Sequence, residues 1–313
     1  MGCDLVVAAL SVGRGSLEGM KYGLDISPAG PWGRPDKIAE LAALGEASGW
    51  DGVFCEDYLC FPPEDARPDE PVDTYDVWIT LALAAQATSR ITLGTMVTPL
   101  PARKPASIAT QALTVDHLSG GRLVLAVGLG DDERTNLAAL GQTDTMPERA
   151  ELLDESLEVI TRLWSGESVS FEGRRLRLDN AQLRPRPLAR PRIPIWVGGA
   201  MTKTRPRQRA LRWGGACLYR IPPADGWEDV TPDDVRRLRA DAAERPDGGD
   251  GFVIAVGGRE RATEPDQLAA DRDYVAELAE AGADWWHEYV PARLSYAEAR
   301  RRIEAGPLRP APV

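Results

Sequence analysis

Reactive and anion-binding side chains gather in a few short stretches of this 313-residue chain. In GGAMTKTRPRQRALRW, residues 198–213, a glycine turn followed by Lys203, Thr204 and Arg205 stands ahead of a helical pattern. Free N–H groups, the helix dipole and cations would converge there on an anion, such as the phosphate of a cofactor or substrate. The stretch belongs to an acid-free interval from Ala181 to Arg220 that carries Arg184, Arg186, Arg190, Arg192, Arg207, Arg209 and Arg212 as well. The later arginines read equally as a solvated face that balances charge in an acidic protein.

The chain has 2 histidines. In WWHEYV, alternation puts Trp285, His287 and Tyr289 on one face of a strand, and Trp286 and Glu288 on the other. A His287 facing a cavity could exchange a proton near neutral pH; facing a closed core it is a hydrogen-bonded packing residue, and both readings stand. His117, in VDHLSGG, sits at a helix end and suits a contact with terminal carbonyls.

These residues need a frame, and the chain announces one by alternating short β-branched runs with longer helical patterns. Strands are expected at 22–27, 51–57, 91–98, 122–128, 193–199, 215–220, 252–258 and 285–290. Helices are expected at 34–49, from Val72, at 105–118 and 147–164, in a basic segment ending near Trp213, from Thr231, and at 265–281 and 296–304. Ile108, Ala112, Val115 and Leu118 mark one helix face, which Gly120 and Gly121 end. Leu153, Leu157, Ile160 and Trp164 mark another, after which a hairpin turns at Glu172 and Gly173. An open, doubly wound sheet gives similar alternation, but the even tally of strands and helices favours a closed α/β (β/α)8 barrel with a helix-plus-hairpin insertion between the fourth and fifth strands.

In a barrel, chemistry belongs at the strand C-termini. Ser27, Asp57, Tyr58, Met96 to Thr98, Gly128 to Asp131, Gly198, Gly199, Tyr219, Arg220, Gly257, Gly258 and His287 to Tyr289 would then share one rim. The glycines either admit a flat or phosphorylated ligand or simply turn the chain.

Composition narrows the remaining classes. A net charge of −11 argues against a nucleic-acid or membrane-surface partner, and no apolar run reaches membrane-spanning length. Cys3, Cys55, Cys60 and Cys217 fit neither a disulfide framework nor a metal site, which suggests a reducing cytoplasm. Residues 1–19 lack the charge pattern of a secretory leader and read as an extension of a single domain at 20–313.

Four segments, in order and spacing, carry a resemblance: TLGTMVTPLPARKP, LTVDHLSGGRLVLAVGLGDD, RAELLDESLEVITRLWSGESVSFEG and PRIPIWVGG. Over residues 20–306 the chain resembles the bacterial luciferase-like superfamily of flavin- and deazaflavin-dependent oxidoreductases. The resemblance implies a (β/α)8 barrel, usually dimeric, holding reduced FMN or the deazaflavin F420 at its mouth. It further implies a cis peptide between Met96 and Val97 behind the ring, and passage of Gly128, Gly130 and Asp131 along the ring edge. Gly198, Gly199, Lys203, Thr204 and Arg205 would lie near the cofactor tail. Where many relatives carry Asp-His after the second strand, this chain has Asp57 and Tyr58, and a phenol is a poor base near neutral pH.

The leading expectation is therefore a monooxygenase that uses reduced FMN and O2 on a small organic substrate, supplied by a separate flavin reductase. Asp57, Tyr58, Asp131 and His287 are its candidate catalytic residues. The alternatives are F420-dependent hydride transfer, a non-catalytic flavin-binding or partner-binding barrel, and an unrelated barrel enzyme acting on phosphorylated substrates.

Overall fold

The computed structural model describes residues 19–58, 72–130, 137, 141–142, 144–220 and 228–309. The expected N-terminal extension up to residue 18, the proline-rich loop at 59–71 and the candidate residue Asp131 lie outside them. Strands β1 (Lys21–Ile26), β2 (Gly52–Cys55), β3 (Thr92–Thr95), β4 (Thr98–Pro99), β5 (Leu123–Gly128), β8 (Ile195–Ala200), β9 (Gly215–Tyr219), β10 (Val253–Glu260) and β11 (Trp285–Val290) form a nine-stranded sheet. All its pairings are parallel. Pairing of β3 with β5 closes the sheet into a barrel, and β4 resumes the line of β3 beyond a break at Met96 and Val97.

Helices α1 (Pro35–Ala47), α2 (Val77–Ala87), α3 (Pro105–Ser119), α4 (Met146–Leu163), α5 (Thr204–Trp213), α6 (Pro232–Ala243), α7 (Pro265–Glu280) and α8 (Tyr296–Glu304) alternate with the strands. Their starts follow from local chemistry: proline opens α1, α3, α6 and α7, where the missing N–H would have no helical partner. Asp76 caps α2 by accepting from the N–H groups of Trp78 and Ile79, and capping boxes start α6 and α8. Gly120 ends α3 in the left-handed conformation, φ 69°. On that helix Ile108, Ala112 and Val115 are buried as their spacing requires, but Leu118 is 41% exposed, because the buried face continues through Asp116 and Ser119 and leaves Leu118 to one side.

Between β5 and β8 lie α4 and the antiparallel hairpin β6 (Ser168–Glu172) and β7 (Arg177–Gln182). The Glu155 carboxylate on α4 accepts from the backbone N–H groups of Arg174, Arg175 and Leu176, which fixes the hairpin turn to the helix.

The barrel interior is packed by exchanging bulk between facing positions. Phe54, Val124, Ala126, Trp196, Ala255 and Trp285 form the cluster along the axis. Their volume fits because facing positions are glycines: a β-carbon on Gly94 would lie 2.6 Å from Phe54, and one on Gly215 would lie 2.2 Å from Trp196. Phe54 stacks on Trp196 at 5.3 Å, and Trp285 meets Phe54 edge-on at 5.6 Å. At the N-terminal end the Lys21 ammonium sits 5.4 Å from the Trp285 ring centroid.

Candidate active site

The rim at the strand C-termini is organised by the break between β3 and β4. The Met96–Val97 peptide is cis, as the resemblance implied. Val97 aims its side chain across the rim at two glycines of neighbouring strands: a β-carbon on Gly128 would lie 2.9 Å from Val97 Cγ2, and one on Gly198 would lie 3.2 Å from Cγ1. Apart from Gly128's own chain neighbours, Val97 Cγ2 is the one described atom within 4 Å of that point, so the glycines make a seat for Val97. Gly257, at φ 141°, has a different reason: a β-carbon there would lie 2.1 Å from the carbonyl oxygen of His287, so β11 itself demands a glycine.

The basic segment divides in two. Arg209 makes a two-pronged pair with Asp154 on α4 at 2.6 and 2.8 Å, Arg207 approaches Asp241 on α6 at 3.7 Å, and Arg212 approaches Glu158 at 3.9 Å. These three fasten α5 to its neighbours. Lys203 and Arg205 are exposed and make no ion pair with another described residue. Lys203 is the N-cap of α5 and makes no side-chain cap bond, so the amide groups of the first turn and two free cations face outward beyond β8, whose end holds Gly198 and Gly199.

The residues after β2 have distinct fates. The Asp57 side chain is fully buried and ion-paired with Arg103, which lies after the Leu100–Ala102 turn and also approaches Asp76 at 3.8 Å. Burial pushes the Asp57 carboxyl above its usual range, and the Arg103 guanidinium opposes that shift. Asp57 thus ties the end of β2 to the segment beyond the Val97 bulge. Tyr58 donates to Glu56 Oε1 at 3.5 Å. Arg149, in the first turns of α4, is buried and donates to the Gly130 carbonyl at 3.3 Å, joining the insertion to the rim.

His287 faces the axis, and its Nδ1 lies 2.9 Å from Asp25 Oδ1. Both are buried, with 2% and 5% exposure. Asp25 was missed by the sequence reading, although YGLDIS carried a signal: one acid, on the same face as Gly23, in a run with no other charge. His117 is confined to structure, with Nε2 donating to the Arg186 carbonyl at 2.8 Å. Cys55 and Cys217 are free thiols whose ionisation burial opposes. Among the described residues no cluster of metal-ligating side chains occurs, and no helix is long and apolar enough to cross a membrane.

Comparison with known proteins places this geometry. The chain is 34% identical over 216 residues to an F420-dependent hydroxymycolic acid dehydrogenase of Mycobacterium tuberculosis, covering 67% of this chain and 54% of that protein. It is 37% identical over 168 residues to an F420-dependent glucose-6-phosphate dehydrogenase of Nakamurella multipartita, covering 53% and 47%. A 4-hydroxyprotoasukamycin monooxygenase of Streptomyces nodosus subsp. asukaensis is 31% identical over 213 residues, covering 67% and 55%. The chain thus spans about half the length of these curated relatives. The fold is shared with the coenzyme F420-dependent tetrahydromethanopterin reductase of Methanopyrus kandleri, at TM-score 0.69 and 19% identity, covering 91% of this chain and 96% of that one. A sequence model of luciferase-like monooxygenases matches residues 13–303, more than half of the chain, and the protein belongs to that family of oxidoreductases.

Proposed function

We propose that the protein is an F420-dependent oxidoreductase that transfers hydride to or from a small organic substrate. The observation that carries a cofactor of this kind is the rim itself, where Val97 is seated on Gly128 and Gly198 near a helix N-terminus that lacks a side-chain cap and bears Lys203 and Arg205. An apolar shelf next to an anion site suits a planar ring with a phosphate-bearing tail. The preference for the deazaflavin rests on the F420-dependent dehydrogenases among the relatives.

The cofactor would supply a hydride acceptor or donor at the rim. Met96 and Val97 would back it, with Gly128 and Gly130 along its edge. Gly198, Gly199, Lys203, Thr204 and Arg205 would hold its tail. Arg103 and Asp57 hold the bulge segment against β2. Tyr58, whose O–H is directed to Glu56, would offer its phenol oxygen as an acceptor to a substrate hydroxyl.

A second reading, oxygenation with reduced FMN delivered by a separate reductase, is favoured by the likeness to the 4-hydroxyprotoasukamycin monooxygenase. Titration of the protein with F420 and with oxidised and reduced FMN, followed by fluorescence quenching, separates the two. Tight F420 binding with weak FMN binding supports the proposal. Selective binding of reduced FMN, with oxygen consumption coupled to product, replaces it with the second reading. A homodimer is the assembly expected for either.

A further inference from the structure

Around the rim the strands run β3, β2, β1, β11, β10, β9, β8 and β5. The glycine seat of Val97 lies on β5 and β8, so the arc from β9 round to β2 stands across from it. Three observations give that arc a preference among substrates.

The first is what it turns inward. The alternation that brings Gly23 and Asp25 to His287 sends Ser27 inward beyond them, and the alternation that puts Phe54 on the axis does the same for Glu56. The Glu56 N–H donates to the Ile26 carbonyl at 3.1 Å, so β1 and β2 are still paired where these two residues stand. Tyr289, two residues beyond His287, opposes Asp25 across the pairing of β1 with β11. Neighbouring strands lie about 4.8 Å apart, which sets Glu56, Ser27 and Tyr289 side by side. Glu56, Tyr58 and Tyr289 are partly exposed, whereas Phe54 and His287 one step below are buried. Solvent therefore reaches this wall and stops at the layer beneath it.

The second is the fate of the cations at these strand ends, each of which is answered by an acid. Arg220, after β9, pairs with Asp234 of α6 at 2.6 Å and Glu228 at 2.9 Å. Arg259, on β10, pairs with Asp271 of α7 at 2.6 Å and Asp229 at 3.2 Å. Arg261 pairs with Glu288 on the outer face of β11, and Arg293 pairs with Glu260. A phosphate ester on this arc would meet the Glu56 carboxylate and no unpaired cation among the described residues.

The third is Ser27. Its side chain is fully buried, and its hydroxyl has no hydrogen-bond partner among the described residues. Buried hydroxyls are normally bonded, and this one is directed to the same wall as Glu56. A carboxylate offers about four acceptor positions, so Glu56 can receive a ligand donor beside the Tyr58 O–H. A carboxylate, a hydroxyl oxygen and neighbouring tyrosine rings suit a cation.

We propose that this wall binds a protonated amine carried by the substrate, with Glu56 as its counter-ion, Ser27 as a second acceptor and Tyr289 beside it. The proposal rests on the hydride-transfer reading above, which makes the occupant of the arc the substrate. Glu56 is then a specificity-determining residue that favours small organic cations over phosphate esters of the same size.

Benzylamine, benzyl alcohol and phenyl phosphate are alike in shape and differ in charge. They are titrated into the F420 complex, where the cofactor fills its own anion site, and followed by ligand-observed NMR. Wild type should hold benzylamine about tenfold or more tighter than benzyl alcohol and phenyl phosphate least, and added salt should weaken benzylamine alone. Glu56→Gln should weaken benzylamine about 10- to 100-fold, the size of a charged hydrogen bond, and leave benzyl alcohol within about threefold. Ser27→Ala should weaken benzylamine about 3- to 10-fold with a melting temperature no lower than wild type, because it removes a hydroxyl without a partner in the protein. Both variants should hold F420 within about threefold of wild type, which checks their folding. Equal wild-type affinities for benzylamine and benzyl alcohol, a preference for phenyl phosphate, or a Glu56→Gln protein that keeps its benzylamine affinity overturns the amine site and leaves hydride transfer standing. Failure of wild type to bind F420 overturns the hydride-transfer reading and the substrate assignment with it.

Discussion

Val97 and Gly128 meet across the barrel rim, with Val97 Cγ2 2.9 Å from where a β-carbon of Gly128 would stand. The distance is too short for any real side chain at 128, so the bulge after β3 keeps its place only while that position stays bare. Gly128→Ala should therefore push Val97 off its seat. Overpacking of this kind costs about 1–3 kcal/mol, and the larger effect should fall on cofactor affinity, weakened about tenfold or more. Thermal unfolding and F420 titration of the same variant measure the two effects separately; unchanged affinity would show that Val97 does not back the ring.

Lys203 and Arg205 differ from the other cations of α5 in lacking acidic partners among the described residues. Their removal should leave stability nearly untouched and weaken the hold on a phosphate-bearing ligand. Lys203→Ala and Arg205→Ala should each raise the F420 dissociation constant about 3- to 30-fold, with a shallower salt dependence than wild type. Arg209→Ala, which breaks a pair with Asp154, should do the reverse, lowering the melting temperature with little change in affinity.

Arg103 and Asp57 form a pair in which the carboxylate side chain is wholly buried. Loss of one partner of a buried pair typically costs about 3–5 kcal/mol, because the other charge is stranded. Arg103→Met should be more destabilising than the double variant Arg103→Met, Asp57→Asn. A double-mutant cycle by denaturant unfolding checks this; additive effects would mean the two charges do not depend on each other.

Glu288, on the outer face of β11, is 1% exposed and paired with Arg261 at 2.6 Å. Burial is the larger influence and pushes its pKa up to about 7, with the Arg261 charge opposing. A carboxyl raised on folding adds stability below its unfolded pKa, near 4.3, and that contribution is lost as pH rises toward 7. Wild type should therefore lose stability between pH 5 and 7 from this group, and Glu288→Gln should flatten the slope there. Glu46 acts in the opposite sense and outside that window. Burial disfavours its charge, but the N–H groups of Ile91, Arg90 and Ser89 outweigh this and hold it at about 2, so its contribution is lost as pH falls below about 4. Melting temperatures across pH 3–8 resolve both limbs.

The sequence by itself determined the element order, because each helix and strand writes its own period and punctuation. The 3.6-residue spacing of Leu153, Leu157 and Ile160, the stop at Gly120 and the apolar run of β5 are local properties, and the structure carries all of them. The rim positions were legible for the same reason, since they are whatever follows each strand. The partnerships were decided only by tertiary structure. Asp25 and His287 are 262 residues apart in the chain, and Arg103 and Asp57 are 46 apart. No periodicity records which side chains a closed barrel will bring together. The same closure sorted the basic segment, giving Arg207, Arg209 and Arg212 acidic neighbours from α4 and α6 while Lys203 and Arg205 faced outward. It also set the meaning of each glycine, a seat for Val97 at 128 and 198 but clearance for the β11 backbone at 257, because contact distance depends on strand register and a single chain segment holds no information about the register of its neighbours.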